Sequence, residues 1–247
     1  MSSTPLAQHQ IEIERNYEAW RAKPLLQRLY DGFYDRILAL VDPSVPGALV
    51  EIGSGIGNLK ARAPRAIATD LFPNPWIDLA CDAYRLPFGD GRVSHLILFD
   101  VFHHLQTPAA FFAEARRVLA PRGRVILFDP YISLASFPAY AWFHHEPVAW
   151  RAPIDPAPTP PAAHTYYAAQ GNATRVFFGR EPAPWLAAWR PIHAAASAEF
   201  GYLLSGGFSR AALYPERALD GIRRWDARLS RWPRLFGARC LVALTLK

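Results

Sequence analysis

The stretch that most constrains this chain is Ala48 to Gly57, which reads Ala-Leu-Val-Glu51-Ile52-Gly53-Ser54-Gly55-Ile56-Gly57. Its apolar start, Ala48 to Val50, predicts a buried strand. The glycines then impose a tight turn, and Asn58 to Ala63 can open a helix. Strand, glycine turn and helix together form a nucleotide-binding corner. Glycine lets the backbone turn sharply and approach a ligand with no Cβ in the way. The helix start offers unpaired N–H groups. A pyrophosphate cradle spaces its glycines G-x-G-x-x-G. Here they alternate as Gly53-x-Gly55-x-Gly57, with the carboxylate of Glu51 two residues ahead.

The residues that follow repeat a strand-and-acid rhythm. Ala66-Ile-Ala-Thr-Asp70 is a short apolar run ending in a carboxylate, 17 residues beyond Gly53. An acid near this distance, at the tip of a second strand, suits the two hydroxyls of a ribose. Ile77 to Ala83 predicts a third strand carrying Asp82, with Leu86-Pro87-Phe88 behind it. Val93 to Phe99 predicts a fourth, followed by Asp100-Val-Phe-His103-His104-Leu105. From Pro108 to Leu119 the apolar residues Phe111, Phe112, Ala115, Val118 and Leu119 fall at helical spacing. Ala120 to Gly123 stops that helix, and Gly123 to Pro130 predicts a fifth strand.

Over residues 47 to 130 this series resembles the class I S-adenosylmethionine (SAM) methyltransferases of type 11. The shared motifs are E/D-x-G-x-G-x-G at Glu51 to Gly57, D-A-x-x-L-P-F at Asp82 to Phe88, and the His-His-Leu after strand four. Two departures are Arg122, where relatives carry the first Gly of L-x-P-G-G, and Val93-Ser94, where many have Phe-Asp. The resemblance implies a Rossmann-like α/β fold. Its seven-stranded sheet is mostly parallel, the last strand antiparallel, with helices on both faces and an inserted lid. It also implies SAM as cofactor, contacted by Glu51, Gly53, Ser54, Gly55, Gly57, Asp70, Leu71, Asp82, Ala83 and Asp100. Glu51 lies near the ammonium, Asp70 at the ribose, and Asp82 with the Ala83 N–H at the adenine. His104, then His103, are the expected acceptor-side bases, since a neutral imidazole is available near pH 7. The expected activity is methyl transfer to a small-molecule or lipid-linked acceptor, including one of quinol or prenyl type. Two rivals are a nicotinamide oxidoreductase, for which the glycine spacing is wrong, and a scaffold that keeps the fold without the chemistry.

The flanks extend this into a single domain over residues 1–247. Residues 1–46 supply N-terminal helices broken at Pro24, whose Tyr17, Trp20 and Tyr30 either wall the site or pack on the sheet edge. Residues 47–130 form the SAM-binding core. Residues 131–190 are rich in aromatics, with five prolines between Pro153 and Pro161, and are expected to form a substrate lid. Its rings face an apolar acceptor or only pack the lid down. Within it, His144-His145-Glu146 could supply a base or form a solvated turn. Adjacent residues rarely share one metal, so no metal is expected. Residues 191–247 return to the sheet, with strand six over Ile192 to Leu204, a helix over Pro215 to Trp232, and a last strand over Arg239 to Leu246.

Composition narrows the partners. The formal charge is +6, and all but three of the 27 basic residues are arginine. The residues from Glu216 to Arg239 carry a net +4, most of that excess. A basic helix with tryptophans either touches an anionic membrane or packs on its own sheet. No aromatic-interleaved basic run marks a nucleic-acid binder. Two cysteines, Cys81 and Cys240, no zinc spacing and no signal-peptide pattern fit a reducing cytoplasm.

Overall fold

A computed structural model describes residues 5–144, 146–161, 167–181 and 183–247, the first five of these by backbone alone. Seven strands form one sheet in the order β3-β2-β1-β4-β5-β7-β6. They are β1 (Ala48–Ile52), β2 (Ile67–Asp70), β3 (Leu79–Ala80), β4 (Val93–Phe99), β5 (Leu119–Pro130), β6 (Trp189–Ser197) and β7 (Arg239–Leu246). β7 runs antiparallel to both its neighbours, and every other pairing is parallel. This is the sheet expected from the sequence. Its centre is buried on both faces: every residue of β4 is buried, and Val125 to Phe128 of β5 reach no solvent.

Two apolar layers sandwich the sheet. On one face α3 (Pro108–Val118) sets Phe111, Phe112 and Ala115 against Val50, Leu96, Leu98 and Val125. On the other, α2 (Pro24–Leu38) sets Leu26, Leu29, Phe33 and Ile37 against Ile97, Ile126 and Phe128. Pro24 starts α2 at its first turn and ends α1 (Pro5–Ala22) just before it.

Several predicted elements change form. The helix after the glycine turn is only one 3-10 turn, Asn58–Ala61. β3 shrinks to two residues, leaving Asp82 in a turn where its Oδ1 accepts the Tyr84 N–H at 2.9 Å. β5 begins at Leu119, because Arg122 takes a left-handed φ of 66° and lets the strand run through the predicted break. This left-handed position is where relatives carry glycine. The predicted sixth strand splits into β6 and α6 (Phe200–Leu204). Glu199 turns left-handed (φ 49°), and Asp226 of α7 (Leu219–Leu229) accepts the Phe200 and Gly201 N–H groups at 2.9 Å. A side chain distant in sequence thus caps α6. The helix predicted over 215–232 is a 3-10 turn (Glu216–Ala218) that runs into α7, and α8 (Pro233–Phe236) follows beyond it, with Trp225 and Trp232 exposed.

The segment 131–190 divides in two. α5 (Asn172–Phe177) joins the core through Ala173 and Val176, and Trp185 and Trp189 pack 5.1 Å from Phe112. α4 (Phe137–Trp142) and the following Phe143 instead face a cavity. Among the described residues no helix is long and apolar enough to cross a membrane, and both cysteines are free thiols.

Candidate active site

A cavity of about 1470 Å³ opens at the carboxyl ends of β1, β2 and β4. In an open α/β sheet this end holds the ligand crevice. Its floor is the glycine turn. Gly53, Gly55 and Gly57 all have positive φ, from 54° to 67°. Each meets a different neighbour. A Cβ on Gly53 would strike Val101 at 2.5 Å, and one on Gly57 the Trp76 carbonyl at 2.5 Å. On Gly55 it would enter space bounded only by Ile13 Cδ1 at 3.8 Å. Gly55 is therefore the open cradle, whereas Gly57 lies outside the cavity lining and serves the turn.

Glu51 ends on this floor with 3% of its surface exposed. Its Oε2 is buried without a hydrogen-bond partner among the described residues. Burial pushes the carboxyl up to about 8, against a hydrogen bond from Ser54, and the charge of Asp70 adds to the rise. Ser54 ties the turn to β2 through Oγ, which accepts the Thr69 N–H at 3.1 Å. Asp70 accepts the Gly55 N–H at 2.9 Å and the Leu71 N–H at 2.7 Å, so it braces the loop and still borders the cavity. Leu71, Asp82 and Ala83 line the same wall. Overhead, α1 closes the floor with Ile13, Asn16 and Ala19. Tyr30 lines the cavity and stacks on Phe99 at 4.9 Å. Trp20 packs on Tyr30, and Tyr17 packs on Trp76.

The other half of the cavity is polar at one point. The β4 tip carries Asp100, His103 and His104, and Asp100 holds a left-handed φ of 58°. His103 is buried, with Nδ1 3.1 Å from Asp129 Oδ1 and Nε2 3.2 Å from Glu146 Oε2. Burial alone lowers its basicity, but the charges of Asp129 and Glu146 and their hydrogen bonds outweigh that and raise it to about 10. Burial also pushes Asp129 up, with His103 drawing it down. Two carboxylates face one ring and favour its protonated form. His104 donates from Nδ1 to the Tyr167 carbonyl at 2.9 Å and turns Nε2 to Glu146 Oε1 at 3.3 Å. Burial, then the neighbouring His103 charge, lower its basicity. Gln170 holds Glu146 through Oε2, and His144 Nδ1 accepts the Glu146 N–H at 3.2 Å. His145 lies outside the described residues.

Sequence reasoning missed two members of this site, Asp129 and Arg239, and did not place a third, Glu146, against the β4 tip. Asp129 ends β5, beside the β4 tip, and strand order alone would have placed it next to His103. Glu146 was visible only as part of a lid motif. Arg239 opens β7, is 2% exposed, and lies within 5.6 Å of the Phe99, Phe128 and Tyr202 ring centres. Its Nη2 stands 2.5 Å from Asp100 Oδ1, an ion pair.

Residues 50–127 match the family described as methyltransferase domain. No curated protein matches the chain significantly. Among solved structures, geranyl diphosphate C-methyltransferase from Streptomyces coelicolor A3(2), in complex with Mg2+, geranyl diphosphate and S-adenosyl-L-homocysteine, is 15% identical. That alignment covers 89% of this chain and 80% of that one, with a TM-score of 0.54. A putative methyltransferase from Haloferax volcanii, in complex with the Trm112 methyltransferase activator, is 17% identical over 98% and 97% of the two chains, also at 0.54. At these identities the likeness is one of fold.

Proposed function

On a chain that carries a methyltransferase domain over residues 50–127, we propose transfer of a methyl group from SAM to a small-molecule acceptor. The observation that carries this reading is Glu51: a buried carboxyl with an unpartnered oxygen, beside a glycine that leaves open space. Such a group calls for a cation, and the ammonium of SAM is one. Bound SAM supplies an electrophilic methyl on a sulfonium. The chain supplies alignment, which is worth on the order of 7–11 kcal/mol at best.

In this reading Glu51 and Ser54 hold the amino-acid end, with Asp100 beside them. Asp70 receives the ribose hydroxyls next to Leu71. Asp82 and the Ala83 N–H take the adenine. The acceptor occupies the half lined by Tyr140, Trp142, Phe143, His144 and Tyr167. The apolar mouth, where Trp142 and Phe143 are 73% and 62% exposed, suits an apolar or lipid-linked molecule. The exposed Trp225 and Trp232 of the basic C-terminal region favour peripheral contact with an anionic membrane for such an acceptor. For a hydroxyl acceptor, His104 with Glu146 is where the proton is lost.

Calorimetry with SAM, S-adenosylhomocysteine and NAD tests the reading. The first two should bind and NAD should not. NAD binding without SAM binding overturns it. Binding with no labelled methyl passed to any extract component would favour the scaffold rival.

A further inference from the structure

We propose that His103, His104 and Glu146 form a binding site for a divalent transition metal at the acceptor end of the cavity. The three donor atoms lie within 4.8 Å of one another. They come from two separate segments, the β4 tip and the lid, so no sequence spacing announces them. Adjacent histidines seldom share a metal, but here a 3-10 turn (Phe102–His104) brings the two rings to 4.1 Å between centres.

The orientation of each ring supports the site. Asp129 holds Nδ1 of His103, whose Nε2 proton the ion would displace, and the Tyr167 carbonyl holds Nδ1 of His104. A carbonyl only accepts, so the hydrogen of a neutral His104 sits on Nδ1 and a lone pair sits on Nε2. That lone pair is turned towards Glu146, on the side where an ion would sit. Buried carboxylates or carbonyls on the far nitrogen are how metal-bound imidazoles are usually fixed. Glu146 presents one oxygen to each ring, at 3.2 and 3.3 Å. Charge-assisted N–H···O bonds are shorter, about 2.7–2.9 Å. Two ligands bonded at about 2.0–2.1 Å to a tetrahedral ion stand about 3.3–3.4 Å apart. Each ring-to-oxygen spacing is therefore of the length that two ligands of one ion take. His144 is not a ligand, since its Nδ1 already accepts from Glu146 N–H and faces the Gln170 amide at 3.1 Å.

Two imidazoles and one carboxylate leave at least one position open, and it faces the cavity, where His104 keeps 35% of its side chain exposed. Such a donor set suits Zn2+, Fe2+ or Co2+ over Mg2+ or Ca2+. Binding of the ion does not depend on the methyltransferase reading; its use does. If that reading holds, the open position takes an acceptor bearing an oxygen ligand, such as a phenol, an enol or a hydroxy acid, and His104 acts as a ligand and not as a free base.

The test uses the full chain, stripped with a chelator, with Zn2+ alone titrated against a chromogenic competitor and Co2+ absorption as a second readout. We expect one Zn2+ per chain and a Co2+ spectrum intense enough for a four- or five-coordinate site. H104A and E146Q should abolish stoichiometric binding, and D129N should weaken it about 10–100-fold. Circular dichroism and SAM affinity, measured on the same preparations, should match wild type. H104A is the main variant because His103 is buried and its loss threatens folding. No stoichiometric Zn2+, or Zn2+ binding that survives both H104A and E146Q, overturns the site. Lost SAM binding with intact Zn2+ binding overturns the methyltransferase reading and leaves the metal site standing.

Discussion

At the scale of single residues, the three loop glycines separate into roles that their spacing could not distinguish. Gly53→Ala and Gly57→Ala place a methyl within 2.5 Å of a neighbour and should unfold or distort the turn. Gly55→Ala should fold at a cost of about 1–2 kcal/mol for the left-handed backbone yet lose most SAM affinity, as read by calorimetry and thermal melting together. Asp70→Ala removes a charge-assisted contact worth about 1.5–3 kcal/mol, so affinity should fall about tenfold to a hundredfold. Because Asp70 also holds two backbone N–H groups, some thermal stability should go with it. His104→Ala should lower turnover about 10²–10⁴-fold with SAM affinity unchanged. Normal turnover per folded molecule would remove His104 from the chemistry.

Glu51 carries the pH dependence. It is faced by Ser54 and by Asp70, and Tyr34 of α2 senses its charge. In the free protein it is protonated at pH 7, since burial holds it near 8. An ammonium beside it favours the carboxylate, so SAM binding should release a proton, and affinity should climb from pH 6 towards 8. Calorimetry in two buffers of different ionisation enthalpy reads that proton directly, and Glu51→Gln should abolish it. The free protein shows the opposite slope. A folded value raised above 4.5 contributes stability at low pH that is lost as pH rises through about 8. A melting temperature that ignores Glu51→Gln across this window would contradict the assignment.

At the scale of elements, the sequence was legible where apolar period and glycine agreed. β1, β2, β4, α2 and α3 lie close to their predicted bounds because each is a continuous apolar run or a helical stripe with a clear stop. The error at the predicted sixth strand comes from a distant partner. Nothing between Ile192 and Leu204 tells a reader that Asp226 will cap a helix there. Asp226→Ala should therefore cost about 1–2 kcal/mol and loosen α6, visible as faster amide exchange at Phe200 and Gly201. The same limit hid the acceptor site. The histidines were readable at the β4 tip, but Glu146 reaches them only because the lid folds back over it. The aromatic lid residues divide by neighbour: Trp185 and Trp189 serve the core, and Tyr140 and Phe143 serve the cavity.

At the scale of the whole molecule, the cavity lies between α1 above and the strand ends below, so a ligand there joins parts that otherwise touch lightly. SAM at about one hundred times its dissociation constant should add about 2.7 kcal/mol. For a chain of this length that is a rise of about 5–10 °C in melting temperature. An unchanged melt at saturating SAM would show that the cavity does not take it up. The seven strands and the reversed last one were legible through the resemblance. The polar end of the acceptor half was not, since Arg239 and Glu146 reach it from far along the sequence, and Asp129 stands behind it against His103.

The reversed direction of β7 has a practical outcome. A strand that runs against its neighbours begins where they finish, so Arg239 starts beside Pro130 at the crevice and Thr245 pairs with Arg124 at the far edge. A fluorophore attached at Lys247 therefore sits on the side of the sheet away from the crevice and should be blind to occupancy. One attached at Asn16, on the helix above the glycine cradle, should respond as the cavity fills. The fold thus supplies its own reference and reporter positions for a ratiometric assay of unknown acceptors.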